Sequence, residues 1–319
     1  KSPAKQRGRD FGVILACFRD LGYTVEWRVI NAAEYGYQQR RRRIFIFAYL
    51  NDTKYSKRVL KSISFNKCKE GTDYHEAFIK LVSEEGFFAK SFPVKECNPL
   101  KFKSIILPKE IGEVSNSFNF SFENSGVMKD GIIYTIKTTP YYKGKQITLG
   151  DILETGQVDE KFFIPENKLY YTDPEITHSD ESKEFLTKEQ HITWQYLKGS
   201  KKLKRIAKTG YEYIFAEGSM PMVDEYNKPA RTMLTSEGSF GRSTHIVKDK
   251  MTGRIRLLTP IEMERIQGFP DDWTKEALVN NQIVQVPLTK RRFMMGNALV
   301  VDLIGQMEGQ LSEIFEKEK

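Results

Sequence analysis

With 319 residues, 39% hydrophobic and 12% aromatic, the chain is long enough for two domains and apolar enough to give each a core, and it carries no internal repeat or low-complexity segment; a disordered tail or fibrous protein is excluded. Lys and Arg number 50 against 42 Asp and Glu, a net charge of +8 that favours a polyanionic partner. The three cysteines, Cys17, Cys68 and Cys97, show no C-x-x-C spacing and no ligand-spaced histidine among His75, His178, His191 and His245, which points away from a disulfide framework or a zinc site and towards a reducing cytosol.

Phe11, Ile14, Leu15, Phe18 and Leu21 recur at helical spacing, so residues 10–21 are predicted to form an amphipathic helix capped by Gly22. TVEWRVI alternates, with Val25, Trp27 and Val29 on one face, and is predicted to be a strand. A connection from Asn31 to Gln39 leads to the stretch RRRRIFIFAYL. Ile44 to Leu50 has the length and composition of a fully buried strand, and four arginines, Arg40 to Arg43, stand at its mouth. Two readings of that run stay open on pattern alone: a solvated strand end, or guanidinium groups held on rigid backbone to recognise an anion by their planar fork. Helix, strand, loop and strand make a fragment of an α/β layer that buries too little surface to stand alone.

From about 51 to 230 the texture is irregular and reads as a second domain. SNSFNFSF alternates, and MKDGIIYTIK carries an Asp130-Gly131 turn between strand formers, so antiparallel hairpins are predicted. YLKGSKKLKRIAKTGYEYIF concentrates Lys198, Lys201, Lys202, Lys204, Arg205 and Lys208 beside Tyr196, Tyr211 and Tyr213, which suits phosphate contact; a solvated helix face explains the lysines equally. LTPIEMERIQGFPDDW spells a helix start, with Thr259 as N-cap, Pro260 first, Glu262 closing a capping box, and Gly268 and Pro270 ending it. In RFMMGNALVVDLIGQM, a Gly296-Asn297 turn is predicted to open a helix carrying Leu299, Val300, Leu303, Ile304 and Met307. No apolar run approaches a membrane span, and KSPAKQRGRD lacks the core of a signal peptide; a start without methionine is expected of a processed or excised piece.

Taken in order, these segments resemble the C-terminal half of the DNA cytosine-5 methyltransferases. NAAEYGYQQRRRRIFIFA is similar to that family's asparagine-alanine, tyrosine-glycine and Gln-x-Arg-x-Arg block, here Gln39, Arg41 and Arg43, with Gln38 where the family usually has proline. RTMLTSEGSFGRSTHIV and RLLTPIEMERIQGFPDDW resemble the block that organises the target-recognition domain, and GNALVVDLI the last block. The resemblance implies an α/β fold: a Rossmann-like methyltransferase catalytic-domain remnant from residues 1–50 and 291–319, with a mixed, irregular small recognition domain and hinge, 51–290, inserted. It implies methyl transfer from S-adenosylmethionine to C5 of a flipped cytosine in duplex DNA, in a prokaryotic cytoplasm and most often within restriction-modification.

By the same resemblance Arg43 meets the extruded base or its phosphates, with Arg41 and Gln39 in support, while Arg40 and Arg42 face the other way by strand alternation. Gly296, Asn297 and Ala298 are expected at the methionine end of S-adenosylmethionine. Arg231, Thr235, Ser236, Gly238 and Arg242 are expected to approach DNA from a polar, glycine-containing loop, with Lys201, Lys202 and Arg205 as phosphate contacts; for Thr235 and Ser236 ordinary loop hydrogen bonding is the alternative. No cysteine here follows proline, and neither Glu-Asn-Val nor Phe-x-Gly-x-Gly occurs. The nucleophile, its glutamate and the cofactor loop are therefore expected on an N-terminal catalytic half, either a partner subunit or a preceding segment, and an apolar edge is expected at Ile44–Leu50 and Leu299–Met307 where it would dock. A non-catalytic DNA-binding protein that keeps the recognition half is the rival reading.

Overall fold

The first helix, Arg9–Asp20, forms where the apolar spacing puts it, and Gly22 at φ 75° turns the chain into strand β1, Tyr23–Asn31. The computed structural model describes residues 5–61, 72–170 and 193–319; Cys68, His178 and His191 lie outside them. The chain forms two compact units, one of residues 1–37, 41–146 and 302–319 and one of residues 38–40 and 147–301.

The first unit is mixed α/β. Its sheet joins β1 to β2 (Arg42–Leu50), β3 (Val94–Ile106), β4 (Ser125–Lys129) and β5 (Ile132–Pro140) in the order β2-β1-β4-β5-β3. Every neighbouring pair is antiparallel, so the parallel layering of a doubly wound sheet is not formed among the described residues. These units do not divide at residues 50 and 290. Residues 51–146 belong with the first helix and strands, because β1 takes β4 as its second partner and so draws the β4–β5 hairpin into the same sheet. That hairpin is the one MKDGIIYTIK announces: Asp130 and Gly131 take φ 51° and 82°, the left-handed pair a tight two-residue turn demands. SNSFNFSF is not a strand. Its start ends a short helix, Ile111–Ser117, and Phe118, Phe120 and Phe122 then pack irregularly against Phe11 and Trp27 beside the first helix.

Strand β1 is buried on both faces, which its polar alternation did not announce. Val25 and Trp27 meet the first helix. On the opposite face Arg28 donates to the carbonyls of Val82 (2.5 Å), Phe92 (2.7 Å) and Phe88 (3.3 Å), and Glu26 accepts from the Phe87 amide (2.9 Å) and the hydroxyls of Tyr49 (3.0 Å) and Tyr55 (3.1 Å). Burial raises the Glu26 carboxyl and lowers the Arg28 guanidinium from their ordinary ranges, and these partners are what make the burial tolerable.

Strand β2 is the sheet's edge, and it is half exposed rather than buried. Phe45, Phe47 and Tyr49 pack towards Phe92, Phe87 and Tyr55, whereas Ile44 and Ile46, on the other side, remain 47% and 39% exposed. The last helix, Val301–Glu318, lies from residue 302 on against residues 86–91 of this unit through Gln306 and Gln310.

In the second unit, Leu149, Ile152, Ala230, Met233, Val247, Leu258, Met263, Ile266 and Met295 form a core around the helix Pro260–Ile266. The capping box is made as the sequence spells it, with Thr259 accepting from the Glu262 amide and Glu262 from the Thr259 amide. Glu262 also accepts both arms of Arg256 (2.7 and 2.8 Å), whose Nε reaches Asp249 at 3.0 Å, and Arg256 and Glu262 are fully buried. Among its described residues the unit also holds three hairpins: β6–β7 (Lys201–Ile206 and Glu212–Glu217), β8–β9 (Ile246–Lys248 and Ile255–Leu257) and β10–β11 (Glu276–Val279 and Gln282–Gln285). The last was not anticipated, although Asn280 and Asn281, both at positive φ, are turn formers between two short β runs.

Candidate functional site

The arginine run sits at the start of the edge strand β2 and alternates across it. In the first unit Arg41 is buried, Arg43 is half buried with Nη1 on the Arg42 carbonyl (2.8 Å), and Arg42 is exposed. Burial, with Arg43 adding repulsion, pushes the Arg41 guanidinium down to about 10, so it stays charged at neutral pH. Two like charges held side by side are a costly arrangement that an anion would relieve.

In the second unit, Gln38, Gln39 and Arg40 run along Ala230. The Ala230 amide donates to the Gln38 carbonyl and the Arg40 amide to the Ala230 carbonyl, both at 2.8 Å, and Gln39 forms a parallel bridge with Ala230. The Gln38 amide group donates to the Arg265 carbonyl at 2.8 Å, and the Gln39 side chain, fully buried, to that of Ile266 at 3.5 Å. Gln39 is thus a brace on the helix Pro260–Ile266, and Arg40 is exposed.

Beyond Ala230 the loop through residue 245 carries the candidates for DNA contact, and the structure divides them. Arg231 is committed internally: Nε and Nη2 grip Asp224 at 2.5 and 3.1 Å, and the remaining donors reach the carbonyls of Ser243 (3.0 Å) and Thr244 (3.1 Å). Arg242 donates to the carbonyls of Gly199 (2.9 Å), Leu197 (3.2 Å) and Gly218. Thr235 and Ser236 are exposed, at a turn that Gly238 closes with φ 74°. Beneath them Glu237 accepts from the His245 amide (2.8 Å) and meets its Nδ1 at 2.9 Å, both side chains being buried.

The basic stretch is the β6–β7 hairpin, not a helix face. Lys201 turns inward: its ammonium donates to the Leu197 carbonyl at 2.9 Å, sits 3.6 Å from Glu217 and lies 4.8 Å above the Tyr196 ring. Lys202 and Lys204 are exposed on one side of the ribbon, and Arg205 stacks 3.7 Å from the Phe215 ring centre on the other. Sequence reasoning did not find the buried carboxylates Asp224 and Glu237, since their partners Arg231 and His245 stand seven and eight positions away, a spacing that no local motif marks.

Residues 3–313 match the family model of the C-5 cytosine-specific DNA methylases. The chain belongs to that family. It is 42% identical over 315 residues to the type II methyltransferase M.Sau3AI of Staphylococcus aureus, covering 98% of this chain and 65% of that protein. Over 327 residues it is 23% identical to the type II methyltransferase M.NlaIV of Neisseria lactamica, covering 98% of this chain and 69% of the relative. The chain thus spans about two thirds of the length of these relatives.

The family's methyl donor is S-adenosylmethionine, and the three residues expected beside it stand at the end of a helix in the second unit. Gly296 and Asn297 end the helix Leu288–Asn297 instead of opening the next, which begins at Val301. A Cβ on Gly296 would stand 2.4 Å from the backbone of Leu234 and Thr235, so that face is already filled by protein. The Ala298 amide is bonded to the Met294 carbonyl, and the Asn297 side chain is exposed. Of the described cysteines, Cys17 lies exposed on the first helix, and burial pushes the Cys97 thiol up, away from the thiolate.

Proposed function

We propose that this chain is the DNA-recognising part of a cytosine-5 methyltransferase, which works with an N-terminal catalytic half that brings the cysteine nucleophile, its glutamate and the S-adenosylmethionine loop. The observation that carries this reading is the open edge of the first unit in a chain of this family. Strand β2, with Arg41 and Arg43 at its start, has one sheet neighbour among the described residues, and Ile44, Ile46 and Leu50 on it are exposed, as is Ile304 on the last helix, while Leu303 and Met307 there are buried; in the second unit Leu299 and Val301 are exposed and Val300 is buried. An unpaired strand edge that carries exposed aliphatic side chains is costly in water and marks a surface made to be covered.

In this reading Arg43, backed by Arg41, holds the flipped cytosine or its phosphates. Fixed cations suit that task because the nucleotide must be kept out of the stack at a cost of a few kcal/mol. Double-stranded DNA is the partner, and the second unit, with the loop at 235–240 and the β6–β7 ribbon, is its recognition surface. The use is a restriction-modification system in a prokaryotic cytoplasm, as the type II relatives suggest; among the described residues no helix is long and apolar enough to cross a membrane.

Transfer of labelled methyl groups to cytosine in duplex DNA tests the proposal, by this chain alone and then mixed with the polypeptide encoded immediately upstream. Activity in the mixture only, abolished by Arg43→Ala, is the expected result. Activity of the chain alone would assign the nucleophile to one of its own cysteines and overturn the division of labour. Salt-dependent duplex binding without methyl transfer under either condition would favour a binding-only protein.

A further inference from the structure

The basic side chains of the second unit fall into two classes, and only one of them faces solvent. Arg242 stands at the junction of the 231–245 loop and the β6–β7 hairpin. Its Nη1 donates to the Leu197 and Gly199 carbonyls (3.2 and 2.9 Å), which precede β6, and lies 3.4 Å from Glu217, while Nη2 donates to the Gly218 carbonyl just beyond β7. One guanidinium therefore holds both arms of the ribbon at its base. The loop end is fixed from beneath: Arg231 and the buried Lys198 ammonium converge on the Thr244 carbonyl at 3.1 and 2.8 Å, and the Thr244 hydroxyl donates to the Ser239 carbonyl at 2.6 Å. The ribbon beyond this base has both faces in solvent, with Lys202, Lys204, Ile206, Tyr211 and Ile214 exposed, and an isolated two-stranded hairpin is marginal by itself.

We propose that Arg242 is a positioning residue, which sets the β6–β7 ribbon and the 235–240 turn at a fixed spacing so that they meet DNA as one surface, and that it does not itself contact phosphate. The inference rests on the proposed recognition role of this unit. A guanidinium already bonded to three carbonyls has few donors left for a phosphate, and carbonyl acceptors at the base of both arms make it a spacer that lysine, with one compact head, reproduces poorly. Phosphate contact then falls to the exposed Lys202, Lys204 and Arg205.

The two roles separate in salt. Each lost phosphate contact flattens the slope of log K against log salt by about 0.9, whereas a misplaced surface weakens binding without that signature. The experiment compares wild type, Arg242→Ala and Lys204→Ala, each with the upstream polypeptide, for duplex affinity across salt, and measures amide exchange of residues 201–217 and 231–245 without DNA. Arg242→Ala is expected to weaken binding about tenfold or more with the wild-type slope, and to speed exchange in both segments together; Lys204→Ala is expected to flatten the slope and leave exchange unchanged. A flattened slope in Arg242→Ala, or exchange that rises in one segment or neither, overturns the proposal. If wild type fails to bind duplex DNA, the recognition reading falls, and unchanged exchange in Arg242→Ala would remove the coupling as well.

Discussion

Replacing Arg256 by alanine should be the most damaging single change in the second unit. Its guanidinium is fully buried and makes the two bonds to Glu262, one to Asp249 at 3.0 Å and one to the Leu257 carbonyl at 3.1 Å. In Arg256→Ala the Glu262 carboxylate keeps the amides of Thr259 (3.0 Å) and Glu154 (2.9 Å), and Asp249 keeps those of Thr252 (2.8 Å) and Met251 (3.1 Å), so both acids stay hydrogen-bonded but lose the cation they are ion-paired with in a water-poor interior. Breaking one side of such a buried pair costs about 3–5 kcal/mol, far more than the pair contributes over a well-packed apolar substitute. Arg256→Met with Glu262→Gln should accordingly recover part of the loss. Native-state amide exchange is the suitable assay, because it reads the second unit separately: amides of residues 246–266 should lose about that much protection, a factor of a hundred or more, while β1 in the first unit keeps its own. A loss under about 1 kcal/mol would show that the buried ion pair is not what holds this unit's capped helix, and would refute the reasoning.

Gly296→Ala places a methyl group 2.4 Å from the backbone of Leu234 and Thr235, so it should cost about 1–3 kcal/mol in urea unfolding; a neutral result would mean the helix end and the loop are not in fixed contact. Burial pushes the Lys198 ammonium down to about 8 from 10.5, so the folded chain gives up this proton before the unfolded one does, and stability rises with pH across that window and is lost as pH falls towards 8. The shift corresponds to roughly 3 kcal/mol at most, and the rise should vanish in Lys198→Met; an unchanged slope in that variant would remove Lys198 as its source. Adding the upstream polypeptide should slow amide exchange along residues 42–50; equal exchange with and without it would leave the β2 edge without its proposed partner.

What the sequence determined by itself is local or carried by resemblance. The first helix, the Asp130-Gly131 hairpin and the Thr259–Glu262 capping box form as written, because each is decided by neighbours within a few residues whose spacing or φ preference leaves little choice. The alternation of buried Arg41, exposed Arg42 and half-buried Arg43 is likewise a property of extended backbone. The family came from the residues of its blocks. Tertiary structure decided the rest. SNSFNFSF has strand periodicity, but its phenylalanines gain more by packing under the first helix, and the pairing of β1 with β4 assigns residues 51–146 to the first unit. Charge identity could not say which basic groups face outward: Arg231, Arg242 and Lys201 look like DNA contacts in the sequence, yet each is spent on a carboxylate or on carbonyls up to 45 positions away, while Lys202, Lys204 and Arg205 face outward. Where a guanidinium finds its acceptors is set by chain folding over such distances, and that information exists only once the backbone has come together.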